Sequence, residues 1–162
     1  MSRARFVSGS ASLEAAFNRV RLDALCRERE EAKLAADLSE MRQKMASDHE
    51  SKSRDDSASS PKHRPGGLID IEFVAQLGVL ASARLYPRVI RATGTETQLA
   101  ELAAIGWLSS DEAEQLQTTM TGLREQKLMA ALIGKQGMRD IDTQKTAKIC
   151  ARKLGTKAPN SD

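Results

Sequence analysis

Apolar residues recur along most of this chain three or four positions apart, the spacing of one helix face. Leu13, Phe17, Val20 and Leu25 mark the first face, in a segment that Ser10 or Ser12 can cap and that runs to about Arg29. Beyond the mixed charges of Arg27 to Glu31, the residues Leu34, Leu38, Met41 and Met45 repeat at four, three and four. They predict an amphipathic helix from about Ala32 to Asp48 that packs on a neighbour. Ile69, Phe73, Leu77 and Leu80 predict a helix from about Leu68 to Leu85. Tyr86-Pro87 ends it, because the residue before a proline avoids the α conformation. Thr95 with Gln98, and Ser109 with Glu112, read as capping boxes. The first opens a helix with Leu99 and Leu102 inward that stops at Gly106. The second opens the longest helix, to about Ile133, with Leu116, Met120, Leu123 and either Leu128 or Met129 inward. Trp107 lies between the two and is expected to plug their junction. Gly134 to Gly137 breaks the pattern, and Asp140 can cap a last helix to Leu154, closed by Gly155. No stretch alternates convincingly between apolar and polar, so the expected fold is all-α, a bundle of five or six helices.

One gap interrupts this pattern. From Glu50 to Pro65 the chain is polar and serine-rich, with nothing to bury, and is expected to be a disordered linker. The expected organisation is an N-terminal helical arm over 1–49, a flexible linker over 50–65, a helical bundle over 66–155 and a disordered tail over 156–162.

Composition narrows the picture. At 162 residues the chain is about one domain long. With one Trp, one Tyr and three Phe, its core must be built from Leu, Ala, Ile and Met, which suits helix packing. The net charge of +3 is too small to argue for nucleic acid. Cys26 and Cys150 are far apart and read as reduced thiols. His49 and His63 form no metal-binding spacing. No apolar run reaches membrane-spanning length, and the start lacks the apolar core of a signal peptide. A cytoplasmic protein is expected, with a mitochondrial presequence before Glu14 as the alternative.

Chemistry concentrates in the stretch Pro65-Gly66-Gly67-Leu68-Ile69-Asp70-Ile71-Glu72-Phe73-Val74-Ala75-Gln76. On a strand, Asp70 and Glu72 would share a face and suit a divalent cation. On a helix they point about 200° apart and cannot share one ion. The apolar spacing selects the helix. Asp70 then falls in the first turn, where a carboxylate complements free N–H groups, and Glu72 and Gln76 lie one turn apart on one face. Two readings stay open: a cap with a solvated glutamate, or a helix N-terminus presented to an anion behind Lys62, His63 and Arg64.

These residues also carry a resemblance. Lys62, Gly66-Gly67, Asp70-Ile71-Glu72-Phe73 and Gln76 look like the motif of the glutamine-synthetase adenylyltransferases, which adenylylate and deadenylylate glutamine synthetase. The related uridylyltransferases for the P-II signal protein share the domain type. Met41 to Met45, Leu99 to Leu108 and Leu116 to Leu128 resemble further helical elements of the family. Ser2 to Gly9 resembles the segment just after its catalytic core, so the likeness spans about residues 2 to 133.

The resemblance implies the C-terminal helical part of such an enzyme. The family's nucleotidyltransferase core needs a D-x-D on a strand and a third carboxylate to hold two magnesium ions. Asp140-Ile141-Asp142 has the letters but lies in a segment that starts a helix. No catalytic residue, metal ligand or cofactor is therefore expected within this chain. ATP and magnesium are implied for the complete enzyme, and glutamine synthetase, a P-II protein or a separate catalytic core as partners. Lys62, Gly66, Gly67, Asp70, Glu72 and Gln76 are motif residues of unassigned role. The alternative is a non-catalytic helical module that binds glutamine synthetase or a P-II protein.

Overall fold

Helix spacing in the sequence becomes helix in space. The computed structural model describes residues 1–52, 61–133 and 140–156. In them lie six α-helices: α1 Ala11–Leu25, α2 Glu31–Lys52, α3 Leu68–Ser82, α4 Thr95–Ala104, α5 Ser110–Ile133 and α6 Gln144–Leu154, with a 3₁₀ turn Pro87–Arg91 after α3. No strand occurs among the described residues, and the fold is all-α as expected. The serine-rich centre of the expected linker, the Gly134–Gly137 break and most of the expected tail lie outside the described residues.

α3 is the axis of the molecule. α2, α4, α5, α6 and the 3₁₀ turn all pack on it. Its sequence, LIDIEFVAQLGVLAS, is apolar nearly all round, as a helix surrounded by others must be. Ile71, Val74, Ala75, Leu77 and Val79 are fully buried, where Ile69, Phe73 and Leu77 alone would have made a one-sided stripe. Leu99, Leu102, Leu108, Leu116, Met120 and Leu123 close on it from α4, α5 and the junction between them. Each such leucine stabilises the fold by about 1.5–3 kcal/mol over its exposed state. A smaller cluster, Leu25 with Val79, Ala83, Val89 and Ile90, anchors the C-terminal end of α1.

The helix ends follow their local chemistry in most cases. Ser10 caps α1, its hydroxyl accepting from the Leu13 N–H. Ser109 and Glu112 form the expected capping box: the Ser109 N–H donates to Glu112 Oε2 at 2.8 Å, and the Glu112 N–H to Ser109 Oγ at 3.1 Å. α4 closes on Gly106, where the Trp107 N–H reaches the Leu102 carbonyl and the Gly106 N–H the Ala103 carbonyl. Trp107 sits at the α4–α5 junction as expected. Its Nε1–H donates to Glu31, and the Lys153 ammonium lies 4.5 Å from its ring centroid.

Several expectations are corrected. Gly94, not Thr95, is the N-cap of α4; Thr95 is buried inside the first turn. Asp140 does not cap α6, which starts at Gln144 with the Asp142 carboxylate accepting from its N–H. α1 ends at Leu25, four residues early, and Leu13 and Val20 are exposed, the helix burying only Arg21 and Leu25. On α2 the stripe turns: Leu38 is buried, Met41 and Met45 are exposed, and Arg42 and Ala46 take the inward face. On α5, Leu128 and Met129 are exposed, Leu128 on a cavity that Lys62 and Leu68 also line.

Candidate functional site

The Gly-Gly turn is built by main-chain groups. Leu68 and Ile69, which would otherwise present free N–H groups at the start of α3, donate to the Pro61 and Lys62 carbonyls at 3.2 Å, and Gly67 donates to the Arg64 carbonyl at 2.8 Å. The helix N-terminus is thus closed by the chain before it. This overturns the anion reading of Lys62, His63 and Arg64 at this helix end. Arg64 turns away, its guanidinium donating to Asp140 at 2.9 Å and to Gln126.

Both glycines are demanded by space. Gly66 has φ +70, and a Cβ there would lie 2.6 Å from the Thr143 carbonyl oxygen and 2.7 Å from the Ala147 nitrogen at the start of α6. Gly67 is extended, but its Cβ would lie 2.7 Å from the Arg64 carbonyl oxygen. The Thr143 hydroxyl donates to the Pro65 carbonyl at 2.9 Å, so α6 is seated directly on the turn.

Asp70 looks inward from the first turn of α3. Its Oδ2 accepts from the Gly66 N–H at 2.8 Å, and its Oδ1 from Arg42 Nε of α2. Arg42 also donates from Nη2 to the His63 carbonyl at 2.7 Å. One guanidinium therefore joins α2, the turn and α3. Both side chains are largely buried, at 13% and 12% exposed. Cys150 of α6 packs close by in a pocket of about 310 Å³ that Arg42, Gly66 and Asp70 also line. Burial pushes its thiol above the ordinary range, and the Asp70 charge adds to this. Both cysteines are free thiols.

Glu72 looks outward, as a helix requires. Together with Lys62 it lines a cavity of about 400 Å³, closed by Leu68 and by Arg124, Lys127 and Leu128 of α5. Arg3 of the N-terminal segment pairs with Glu72 at 3.2 Å. Gln76 is half-buried one turn further along α3, on the same face as Glu72 but outside the cavity lining. The motif thus divides: Gly66, Gly67 and Asp70 build the turn, while Lys62 and Glu72 face an open cavity. Among the described residues, no three His, Cys, Asp or Glu side chains are placed to hold a metal ion.

A family model described as GlnD PII-uridylyltransferase matches residues 39–160. The chain belongs to that family. It is also similar to curated proteins named bifunctional glutamine synthetase adenylyltransferase/adenylyl-removing enzyme. The one from Burkholderia mallei is 38% identical over 114 residues, 70% of this chain and 12% of the relative. That from Neisseria meningitidis serogroup B is 34% identical over 127 residues, 78% of this chain and 14% of the relative. That from Methylococcus capsulatus is 39% identical over 114 residues, 70% of this chain and 12% of the relative. The chain spans only that small share of the relatives it matches. The family likeness read from the Gly-Gly motif is borne out.

Within the family match, Arg42 is the structural partner that the sequence reading left without a role. It lay within the family-like stretch Met41 to Met45, but as a basic residue one position beyond the apolar stripe of α2 it gave the same signal as a solvated arginine.

Proposed function

We propose that this chain serves as the helical portion of a glutamine synthetase adenylyltransferase/adenylyl-removing enzyme, and that it works with a nucleotidyltransferase core supplied by other residues. The similarity to the enzymes so named carries this reading. The complete enzyme would use ATP and magnesium in the cytoplasm and act on glutamine synthetase. Among the described residues the motif carboxylates do not fit a magnesium site: Asp70 is held by Arg42 and the Gly66 N–H, and Glu72 points to another face and pairs with Arg3. The part assigned to this chain is therefore to seat the core and shape its cleft, with Lys62 and Glu72 turned toward it. The division into arm (1–49), linker (50–65), bundle (66–155) and tail (156–162) is part of this proposal, amended in three respects: α2 runs on to Lys52, it docks on α3 and α6, and residues 61–65 form the hydrogen-bonded turn that closes α3.

The test is reconstitution. The purified chain with ATP, magnesium and glutamine synthetase should incorporate no labelled AMP; adding a separately produced nucleotidyltransferase core from a relative should start incorporation. Incorporation by the chain alone would overturn the proposal. Glu72→Gln then separates two roles. If the charge acts on the reacting groups, the rate falls by orders of magnitude at an unchanged thermal midpoint; if Glu72 docks the bundle, rate and midpoint fall together. A full-rate, fully stable variant removes Glu72 from both roles.

A second reading rests on the family match, whose description names PII-uridylyltransferase. In it the bundle is a non-catalytic module that binds a P-II protein or glutamine synthetase. Retention of purified P-II protein by the immobilised chain, with no gain of activity on adding a core, would favour it.

A further inference from the structure

A cavity of about 480 Å³ lies between the N-terminal segment, α1 and the 3₁₀ turn, and shares no lining residue with the Lys62–Glu72 cavity. Three arginines line it, Arg5, Arg21 and Arg91, against one carboxylate, Glu14. Arg21 sets its character. It is only 7% exposed, and its Nη2 donates at 2.9 Å to the neutral Ser2 carbonyl. Its buried Nε has no partner, and no carboxylate pairs with it among the described residues. Burial pushes its pKa down, the direction expected of a cation without a counter-charge. A buried, uncompensated charge is costly, and here it borders an open space of ligand size.

The lining also says which anion fits. An excess of two positive charges matches a phosphomonoester, which carries a charge of about −1.5 to −2 at neutral pH. Arginine forks match phosphate oxygens better than a point charge does. The cavity is too large for phosphate alone, and its lining also carries aromatic and aliphatic side chains, Phe6, Phe17, Leu22 and Ile90. The Phe6 and Phe17 rings lie with centroids 6.3 Å apart and tilted 43° to each other, two edges of a cleft that a ring can enter, and Asn18 adds an amide to the lining.

We propose that this cavity binds a phosphomonoester with a flat aromatic body, the phosphate taken by Arg5, Arg21 and Arg91 and the ring by Phe6 and Phe17. The probes are phenyl phosphate and inorganic phosphate, titrated calorimetrically into the full chain at low salt. Phenyl phosphate should bind one to one with Kd below about 1 mM, and inorganic phosphate about tenfold more weakly. Arg21→Gln removes a buried group and endangers the fold, so the exposed Arg5 and Arg91 carry the test. Arg5→Gln and Arg91→Gln should each weaken phenyl phosphate binding about tenfold while the circular dichroism spectrum is kept. Lys145→Gln, which removes the same charge from α6, should bind as the parent does. Phe17→Leu should weaken phenyl phosphate and leave inorganic phosphate unchanged. Three results would each overturn the proposal: no saturable binding up to about 5 mM, equal affinity for the two probes, or unchanged affinity in both arginine variants.

Discussion

Replacing Asp70 by alanine tests how the Gly-Gly turn is held. Were Asp70 an exposed first-turn cap, its loss would cost about 1 kcal/mol. The structure gives it a larger part. Its carboxylate is the counter-charge of Arg42, both side chains being under 15% exposed, and the acceptor for the buried Gly66 N–H. Truncating one member of a buried ion pair costs about 3–5 kcal/mol, because the other charge stays behind unpaired. The stranded N–H raises this toward the upper end, with no simple addition. In urea, followed by helical circular dichroism, Asp70→Ala should therefore lose about 3–5 kcal/mol at an unchanged m-value. The double variant Arg42→Met/Asp70→Leu removes both charges and keeps the volume, and should recover the part of the loss that comes from the stranded charge, while the Gly66 N–H stays without its acceptor. A loss of about 1 kcal/mol or less in Asp70→Ala would refute the reasoning. So would a double variant as unstable as the two single changes summed.

Two further outcomes follow from the same corner of the molecule. Gly66→Ala should be destabilised by more than the 1–2 kcal/mol or so of a left-handed alanine, since the new Cβ meets backbone atoms of Thr143 and Ala147 and α6 must shift. Alkylation of Cys150 by iodoacetamide should accelerate in that variant; a parental alkylation rate with a parental midpoint would show that the turn and α6 are not in contact. The raised thiol of Cys150 also makes stability depend on pH. As pH rises past the ordinary thiol value of 9.0, the unfolded chain loses this proton before the folded one does. The contribution is complete below that value and is lost above it, so urea midpoints of the parent should fall relative to Cys150→Ala between about pH 8 and 10. Parallel midpoints across that range would show that Cys150 is not buried in the folded chain.

Local pattern was enough for the all-α class, the approximate position of each described α-helix, a serine cap at Ser10 or Ser12, the Ser109–Glu112 box and the Gly106 stop, because each rests on residues within a turn or two of one another. The family was legible for a similar reason: Lys62, Gly66-Gly67, Asp70, Glu72 and Gln76 are one continuous stretch. Helix phase was not legible. Whether Met41 or Arg42 faces inward depends on where α3 and α6 lie against α2, and whether Leu128 is buried depends on the cavity left between α5 and the turn before α3. The roles within the motif were likewise decided in three dimensions. Asp70 reads as a cap until Arg42, 28 residues away, is brought to it, and the start of α3 reads as open to an anion until the carbonyls of Pro61 and Lys62 close it. Gly66 already needs its positive φ, and α6, nearly 80 residues on, also leaves no room there for a Cβ. Capping and hydrophobic spacing are short-range and written along the chain; the partner of a buried charge and the space left for a Cβ are set by elements distant in sequence, and only their packing decides them.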